Sequence, residues 1–276
     1  MPTRPSVLLK FFLSLVCVTG SSFGMSLLQG QRVLITGAGR GIGRAIAHIC
    51  HAEGACVALT ARTEAQLHET ASSLQRVSMH VADVTDTAQV EDMVRQVVAK
   101  WGGIDILINN AGGSQAGKAP LQELDSDDLV QVLNLNVVAV HRVTKAVLQQ
   151  AQPTRIINIS SKAGKVGLPN FSFYVASKHA LEGLTASWAE ELKDVAIVNS
   201  ISPGMVDTVS FPKPPGRPGV RSAESIKDGL MLLLKTNVTG HYLHVDELDE
   251  VRRRGFDDRV ALKAINEPDF VTQLSS

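Results

Sequence analysis

The chain has 276 residues, of which 44% are hydrophobic, so it is long enough to bury a sizeable core. Its 27 Lys and Arg balance its 27 Asp and Glu, so no net charge draws it to nucleic acid or to an anionic membrane. Its three cysteines match neither a disulfide framework nor a metal-binding or redox motif. We therefore expect a small-molecule partner, no nucleic acid and no metal site.

Residues 1–24 form an N-terminal extension that differs in pattern from the rest of the chain. Two basic residues precede a short apolar run, Phe11 to Val18, a pattern that resembles a signal peptide, and the lack of acidic residues before Glu53 also permits an organellar targeting segment. The run is too short to span a bilayer. The alternative is a dispensable extension of a cytoplasmic protein, which we favour because MSLLQGQRVLITG, from Met25, has the pattern of a complete domain start.

From residue 31 onward, short apolar runs alternate with longer amphipathic segments. The predicted strands, in chain order, are RVLITG, ACVALTA, RVSMHVAD, IDILINNAG, RIINIS, VAIVNSIS and GHYLHVD. The predicted helices are GIGRAIAHICHAEG, EAQLHETASSLQ, TAQVEDMVRQVVAKWG, one long helix from Ser126 to Gln150, FYVASKHALEGLTASWAEEL and SIKDGLMLLLKT. This order predicts an α/β fold, a single doubly wound Rossmann-type domain over residues 25–246 with a parallel sheet and helices on both faces.

Two segments interrupt the alternation. The stretch SFPKPPGRPGVR, Ser210 to Arg221, is rich in proline and predicts a loop, which is either a plain surface connection or a lid over a site. Residues 247–276 form a C-terminal extension whose charged stretch DELDEVRRRGFDDR is typical of a solvated helix face.

The stretch TGAGRGIG, Thr36 to Gly43, lies between the first predicted strand and the first predicted helix. Glycines there permit a tight turn, and the helix N-terminus offers free N–H groups to a pyrophosphate. The spacing is T-G-x-x-x-G-x-G rather than G-x-G-x-x-G, and a glycine-rich turn in an unrelated fold is the alternative. The position after the first strand favours dinucleotide binding.

Polar residues follow three later strands, where a dinucleotide sheet holds its ligand. Asp83 follows the third strand and could accept a hydrogen bond from an adenine amine, although a local turn or helix cap explains it equally well. The NNAG turn, Asn109 to Gly112, could pack against the ribose and nicotinamide, or its asparagines could tie adjacent strands together. Ser160 and Ser161 end the fifth strand.

The stretch YVASK places Tyr174, one of only two tyrosines, four residues before Lys178. On a helix the two side chains share a face, and a nearby ammonium lowers the pKa of a phenol, which suits an acid/base group. A solvated helix face with an unremarkable pair is the alternative.

TGAGRGIG, NNAG, Ser161, Tyr174-x-x-x-Lys178 and SPGMVDT, in this order, resemble the classical short-chain dehydrogenase/reductase family from about residue 30 to 246. The resemblance implies that Tyr174 is the catalytic acid/base and that Lys178 lowers its pKa and holds the nicotinamide ribose. It also implies that Ser161 orients the substrate oxygen and that Asn136, rather than Asn134, maintains a proton-relay water.

The resemblance further implies a set of cofactor-binding residues, which are Gly37, Gly39, Arg40, Gly41, Ile42, Gly43, Arg62, Asp83, Val84, Asn110, Ala111, Gly112, Tyr174, Lys178, Pro203, Gly204, Val206 and Thr208. For Thr208, a helix or loop cap is the alternative. The second strand ends without a carboxylate, and Arg40 and Arg62 match the family's basic positions for a 2′-phosphate. NADP(H) is therefore favoured over NAD(H), the alternative being that both arginines only point into solvent.

We thus predict an NADP(H)-dependent oxidoreductase acting on a carbonyl or alcohol substrate, whose pocket is lined by residues 162–173 and 205–225. The alternative is a non-catalytic NADP(H)-sensing or scaffold protein on the same fold. Family members associate through the helices equivalent to residues 126–150 and 172–192, so we expect a homodimer or homotetramer. The apolar residues expected on that surface are Val138, Val143, Val147, Leu181 and Leu184.

Overall fold

The computed structural model of the chain describes residues 26–209 and 211–266, apart from the side chains of Arg259 and Ala264. The predicted N-terminal extension therefore lies outside the described residues. No helix within the two described ranges is long and apolar enough to cross a bilayer.

A seven-stranded parallel sheet forms the centre of the molecule, with the strand order β3-β2-β1-β4-β5-β6-β7. The strands are β1 (Arg32–Thr36), β2 (Cys56–Ala61), β3 (Val77–Val81), β4 (Ile106–Asn109), β5 (Arg155–Ile159), β6 (Ile197–Ser202) and β7 (Tyr242–His244). The predicted doubly wound parallel sheet is confirmed. The strand order reverses between β1 and β4, so their carboxyl ends open the crevice in which such sheets bind ligands.

Helices connect the strands and cover both faces of the sheet. They are α1 (Gly41–Ala52), α2 (Glu64–Ala71), α3 (Thr87–Trp101), α4 (Ser126–Leu133), α5 (Ala139–Gln150), α6 (Ser172–Glu191), α7 (Lys227–Lys235), α8 (Val245–Arg253) and α9 (Asp258–Asn266). Alternate strand residues point to opposite faces and enter two separate apolar clusters. Ile35 and Ile108 pack towards α1, α7 and α8, whereas Leu34 and Leu107 pack towards α3, α5 and α6.

The predicted single helix from Ser126 to Gln150 is wrong in one respect. A π-helical turn, Asn134–Val138, separates α4 from α5. The buried amide of Asn136 within this turn forms hydrogen bonds with the Gly113 backbone and with Ser177. The amino-acid pattern of the helix does not predict these contacts. Single π turns inside α-helices occur frequently at functional sites.

The apolar residues expected on an association surface are mostly in the core. Val143, Val147 and Leu181 are at most 1% exposed because they pack against the sheet, whereas Val138 is 44% exposed and Leu184 is partly buried. The expectation that these residues supply spare apolar surface is therefore wrong for three of the five. The predicted homo-oligomer stays a prediction.

The C-terminal residues as far as Asn266 pack onto the domain. Helix α8 runs across the predicted boundary at residue 246, and Leu248 and Leu262 lie in the same apolar cluster as α7 and β7. The amide of Asn266 accepts a hydrogen bond from the backbone N–H of Tyr242 at 2.9 Å, which ties the end of α9 to the edge strand.

Candidate active site

The glycine turn after β1 brings backbone segments into close contact. Gly37 and Gly41 have φ of +64° and +54°, a region that favours glycine. A β-carbon added at Gly43 would lie 2.2 Å from the carbonyl oxygen of Gly37, which no side chain can tolerate. The turn therefore needs glycine at these positions, and it presents the N-terminus of α1 to the cavity beside it.

The NNAG turn is fastened to the glycine turn. The Thr36 hydroxyl accepts hydrogen bonds from the backbone N–H groups of Asn110 and Ala111, at 2.9 and 3.0 Å. The Asn110 amide donates to the carbonyls of Thr36 and Gly37. The Asn109 amide donates to the Asn158 amide oxygen at 3.0 Å and so links β4 to β5. These asparagines therefore tie adjacent strands together, as one of the two interpretations proposed.

A cavity of about 260 Å³ lies at the carboxyl ends of β1, β2 and β4. Most of the predicted cofactor residues line it, namely Gly37, Gly39, Arg40, Gly41, Ile42, Gly43, Arg62, Asp83, Val84, Asn110, Ala111, Gly112 and Thr208. The lining also contains residues that the sequence did not single out, which are Ala61, Thr63, Gln66, Ala82, Leu135 and Phe211. A dinucleotide fits this set, because the glycine turn offers backbone N–H groups and a helix N-terminus to a pyrophosphate, and Arg40 and Arg62 offer positive charge beside it.

Asp83 is held by its own loop. Its Oδ1 accepts hydrogen bonds from the Thr85 backbone N–H and hydroxyl at 2.8 and 2.7 Å, which is the local turn offered as the alternative. Its Oδ2 lies 3.8 Å from the Arg62 guanidinium. Burial acts to raise the pKa of Asp83, but the Thr85 hydrogen bonds and Arg62 outweigh it and the pKa falls. The carboxylate therefore stays charged beside Arg62.

Tyr174 lies in the first turn of α6 and is half-buried. Its backbone N–H donates to the Gln115 amide oxygen at 3.2 Å, and its hydroxyl lies near the Ser161 side chain. Burial raises the Tyr174 pKa, and Ser161 only partly offsets that rise, so the expectation that Lys178 lowers this pKa is wrong. Ser161, and not the buried Ser160, is therefore the serine that meets the tyrosine.

Lys178 lies one turn further along α6 and is 7% exposed. Its ammonium is 5.8 Å from the centre of the Tyr174 ring and donates to the Ile159 carbonyl at 2.9 Å. Burial lowers the Lys178 pKa to about 8, and the Glu182 carboxylate opposes that fall. The charge of Lys178 therefore depends on a carboxylate four residues away on the same helix.

Asn136 connects these residues to the cavity. A β-carbon added at Gly112, which lines the cavity, would lie 3.0 Å from Asn136 Oδ1 and 3.9 Å from Lys178 Nζ. The Asn136 amide donates to the Gly113 carbonyl at 2.8 Å and to the Ser177 hydroxyl at 3.0 Å. The four predicted catalytic residues thus gather at one end of the cavity.

Five predicted cofactor residues do not line this cavity: Tyr174 and Lys178, described above, and Pro203, Gly204 and Val206. Pro203 and Gly204 directly follow β6, and a β-carbon at Gly204, whose φ is +75°, would lie 3.0 Å from Asp246 Oδ1 at the start of α8. Val206 is 5% exposed and pairs with Arg221 across the base of the 205–221 loop. The structure therefore brings Thr208 to the cavity and turns the residues before it towards α8.

Sequence reasoning missed Gln115, Phe211 and Glu182. Glu182 follows Lys178 by four residues, so helical spacing could have found it. Gln115 and Phe211 lie in loops without periodicity, and only their contacts with Tyr174 reveal them.

The short chain dehydrogenase family profile matches residues 31–213. The chain is 36% identical over 196 residues to a protein of Thermotoga maritima named 3-oxoacyl-(acyl-carrier-protein) reductase FabG, covering 68% of this chain and 79% of that protein. A Shigella flexneri short-chain dehydrogenase complexed with NADP superposes with a TM-score of 0.74 at 25% identity, covering 80% of this chain and 99% of its own.

An NAD⁺-bound xylitol dehydrogenase superposes with a TM-score of 0.71 at 31% identity, covering 79% of this chain and 98% of its own. The two solved structures share this fold, and each holds a nicotinamide cofactor. The names of the Thermotoga maritima reductase and of the xylitol dehydrogenase give different substrates. The chain belongs to the short-chain dehydrogenase/reductase family and is an oxidoreductase of CH–OH and C=O groups.

Proposed function

We propose that this protein is an NADP(H)-dependent carbonyl reductase or alcohol dehydrogenase in which Tyr174 is the acid/base. The observation that carries the proposal is that Ser161 and Lys178 both lie beside the Tyr174 side chain, with the Lys178 ammonium 5.8 Å from its ring centre, near a cavity lined by the glycine turn. The nicotinamide supplies or accepts hydride when it is bound.

The chain's own residues manage the proton and the position of the substrate. Ser161 orients the substrate oxygen by hydrogen bonding, and Tyr174 gives that oxygen a proton during reduction. The Tyr174 pKa is raised, so the phenol is protonated and ready to donate at neutral pH. Lys178 would hold the nicotinamide ribose of a bound cofactor, because its ammonium lies near Gly112, which lines the cavity, and Asn136 contacts the same glycine.

The preference for NADP(H) rests on Arg40 and Arg62. Both line the cavity beside the end of β2, where the strand closes without a carboxylate that would repel a 2′-phosphate. The NADP complex of the Shigella flexneri relative agrees with this preference, whereas the NAD⁺-bound xylitol dehydrogenase represents the runner-up, NAD(H).

The test follows NADPH and NADH absorbance with a panel of ketones and aldehydes, comparing wild type with Tyr174→Phe. We expect turnover with NADPH and a loss of about 10²-fold or more in kcat for Tyr174→Phe, with NADPH affinity nearly unchanged. Tyr242→Phe is the matched control, because Tyr242 is the other tyrosine and lies in β7. Near wild-type turnover by Tyr174→Phe would remove the tyrosine from this role.

A further inference from the structure

Two aromatic rings flank the Tyr174 phenol. The Phe211 ring centre lies 5.5 Å from that of Tyr174, and the Phe171 ring centre lies 6.5 Å from it in an edge-on arrangement. Phe171 immediately precedes α6, and Phe211 comes from the proline-rich loop after β6. Both rings are partly exposed, so they form apolar walls on either side of the group that would meet the substrate.

A lysine lies over the face of each ring. The Lys118 ammonium is 5.0 Å from the Phe171 ring centre, and the Lys213 ammonium is 5.6 Å from the Phe211 ring centre. Cations are attracted to aromatic faces, which helps to position both ammoniums. Each positive charge is therefore separated from Tyr174 by a single ring.

The two lysines and Arg217 form one basic rim (Lys118, Lys213, Arg217). Burial chiefly lowers the pKa of Lys213, and repulsion from Arg217 and from Lys118 lowers it further. Asp207 opposes these effects, but its Oδ1 already accepts a hydrogen bond from the Lys213 backbone N–H at 2.9 Å. Like charges gathered in this way repel one another, and a bound anion would relieve the repulsion.

The loop that carries Lys118 is tied to the loop before Phe171 and to helix α6. The buried Gln115 amide donates to the carbonyls of Gly117 and Asn170, at 2.7 and 3.1 Å, and its oxygen accepts from the Tyr174 N–H. Asn170 adopts a φ of +64°, a strained conformation that functional loops often contain. One buried amide thus holds the loop of Lys118, the loop before Phe171 and the catalytic helix together.

The basic rim is distinct from the arginines of the cofactor end. Arg40 and Arg62 line the cavity beside the ends of β1 and β2, whereas neither Lys118 nor Lys213 lines that cavity. Lys118 follows β4 and Lys213 follows β6, on the side of the sheet that contributes Ser161 and Tyr174. The rim therefore adjoins the space for the substrate.

We propose that the substrate of this enzyme is a carbonyl compound that carries an anionic group, a carboxylate or a phosphate, bound by Lys118, Lys213 and Arg217. An apolar segment of the substrate lies between Phe171 and Phe211 and joins the anionic group to the carbonyl at Tyr174. The proposal rests on the proposed function and narrows its substrate class.

The test uses ketones of increasing chain length in three matched forms, with a terminal carboxylate, a phosphate ester or a neutral carboxamide. At low ionic strength we expect an anionic form to exceed the carboxamide by about tenfold or more in kcat/KM, as a charged hydrogen bond would supply. Added salt reduces this preference because it screens partly exposed charges. Whichever of the carboxylate and the phosphate is preferred identifies the anion.

Substitutions test whether the two lysines cause the preference for anionic substrates. The double variant Lys118→Gln/Lys213→Gln should reduce the anionic preference to about parity while leaving kcat/KM for the carboxamide and the NADPH dissociation constant unchanged. Lys193→Gln is the control, since this exposed lysine lies beyond the far end of α6. A carboxamide that is used as well as the anions by wild type would overturn the proposal. A double variant that only weakens NADPH would also overturn it, by assigning the lysines to the cofactor.

Calorimetric binding of the same compounds to the Tyr174→Phe protein saturated with NADP⁺ separates this proposal from the proposed function. If the Tyr174→Phe protein binds the anionic compounds selectively but the wild-type enzyme does not turn them over, the proposed function is wrong and the anion site is supported. If the wild-type enzyme reduces neutral ketones and no chain length shows anion-selective binding, the proposed function is supported and the anion site is wrong.

Discussion

The two proposed ends of the site, the cofactor end and the substrate end, differ in how tightly their backbones are packed. At the cofactor end, added β-carbons at Gly37 and Gly43 would lie 2.9 Å or less from backbone atoms of neighbouring segments. At the substrate end, Gly117, Gly167 and Gly216 have no atom within 4 Å of an added β-carbon. The cofactor end is therefore defined by backbone contacts that permit few residue types, whereas the substrate end is shaped by side chains on open loops.

This difference explains why relatives can share a cofactor and differ in substrate. Substitutions in an open loop alter side chains without moving the sheet, so specificity can change while the cofactor cavity stays the same. Mutations at each end can show whether cofactor binding and substrate binding change independently.

The largest effect is expected from Gly43→Ala. The new methyl group would meet the Gly37 carbonyl oxygen and the Asn110 amide, so we expect a loss of about 3 kcal/mol in the free energy of unfolding, together with weaker NADPH binding. Urea denaturation measures the first and fluorescence titration the second. Gly183→Ala is the control, because this helical glycine has open space around it and alanine there should stabilise by about 1 kcal/mol. Equal stability of the two variants would contradict the prediction.

The arginine pair tests cofactor choice at the cofactor end. Arg40→Ala with Arg62→Ala should weaken NADPH by about 2 kcal/mol and leave NADH nearly unchanged, because a charged hydrogen bond is lost only with the 2′-phosphate. Both side chains are exposed, so salt screening keeps the loss moderate. The measurement is the dissociation constant of each cofactor for both proteins. A wild-type enzyme with higher kcat/KM for NADH than for NADPH would reverse the assignment.

Glu182→Gln tests the polar support behind Lys178. The Glu182 carboxylate raises the pKa of Lys178 against the effect of burial, so its removal should lower that pKa below its present value of about 8. Lys178 is charged below its pKa, so the alkaline limb of the kcat/KM profile should move to lower pH. We expect a loss of about threefold near pH 8 and almost none near pH 6.

Glu182 also interacts with groups other than Lys178, so the pH profile needs a control. Lys165 lies 3.2 Å from Glu182, the Ser200 hydroxyl donates to it at 3.0 Å, and Tyr242 feels its charge. Glu190→Gln removes an exposed carboxylate from the same helix and should leave the profile unchanged. A uniform loss of activity at all pH values would indicate a purely structural role for Glu182.

The smallest effect is expected at the base of the 205–221 loop, the proposed substrate loop. Arg221 forms ion pairs of 2.7 Å with both Asp246 and Asp249 of α8, and its backbone N–H donates to the Met205 carbonyl. Arg221→Gln should lower the free energy of unfolding by about 1 kcal/mol or less and raise KM for the carbonyl substrate, with NADPH binding unchanged. Arg95→Gln, which removes a surface pair within α3, is the control. A weaker affinity for NADPH would show that the two ends are coupled.

The segment from Ser126 to Gln150 shows what an apolar sequence pattern cannot predict. Its apolar spacing predicts helix throughout, and the structure adds a π turn around Asn136, whose buried amide bonds to a loop 23 residues away and to helix α6, 41 residues away in sequence. Val143 and Val147 likewise have the same pattern whether they face the sheet or a second subunit, and only the packing places them in the core.

The amino-acid sequence alone was enough to predict the parallel α/β fold, the glycine turn and the pairing of Tyr174 with Lys178. These features follow from local rules, since strand hydrophobicity, backbone clearance and helical spacing each restrict residues that are near one another in the chain. The folded structure was needed to show that Ser161 meets Tyr174, that α8 anchors the substrate loop and that Lys118 and Lys213 converge beside two aromatic rings. Those contacts join loops from different strands, and their geometry depends on how the sheet brings its carboxyl ends together.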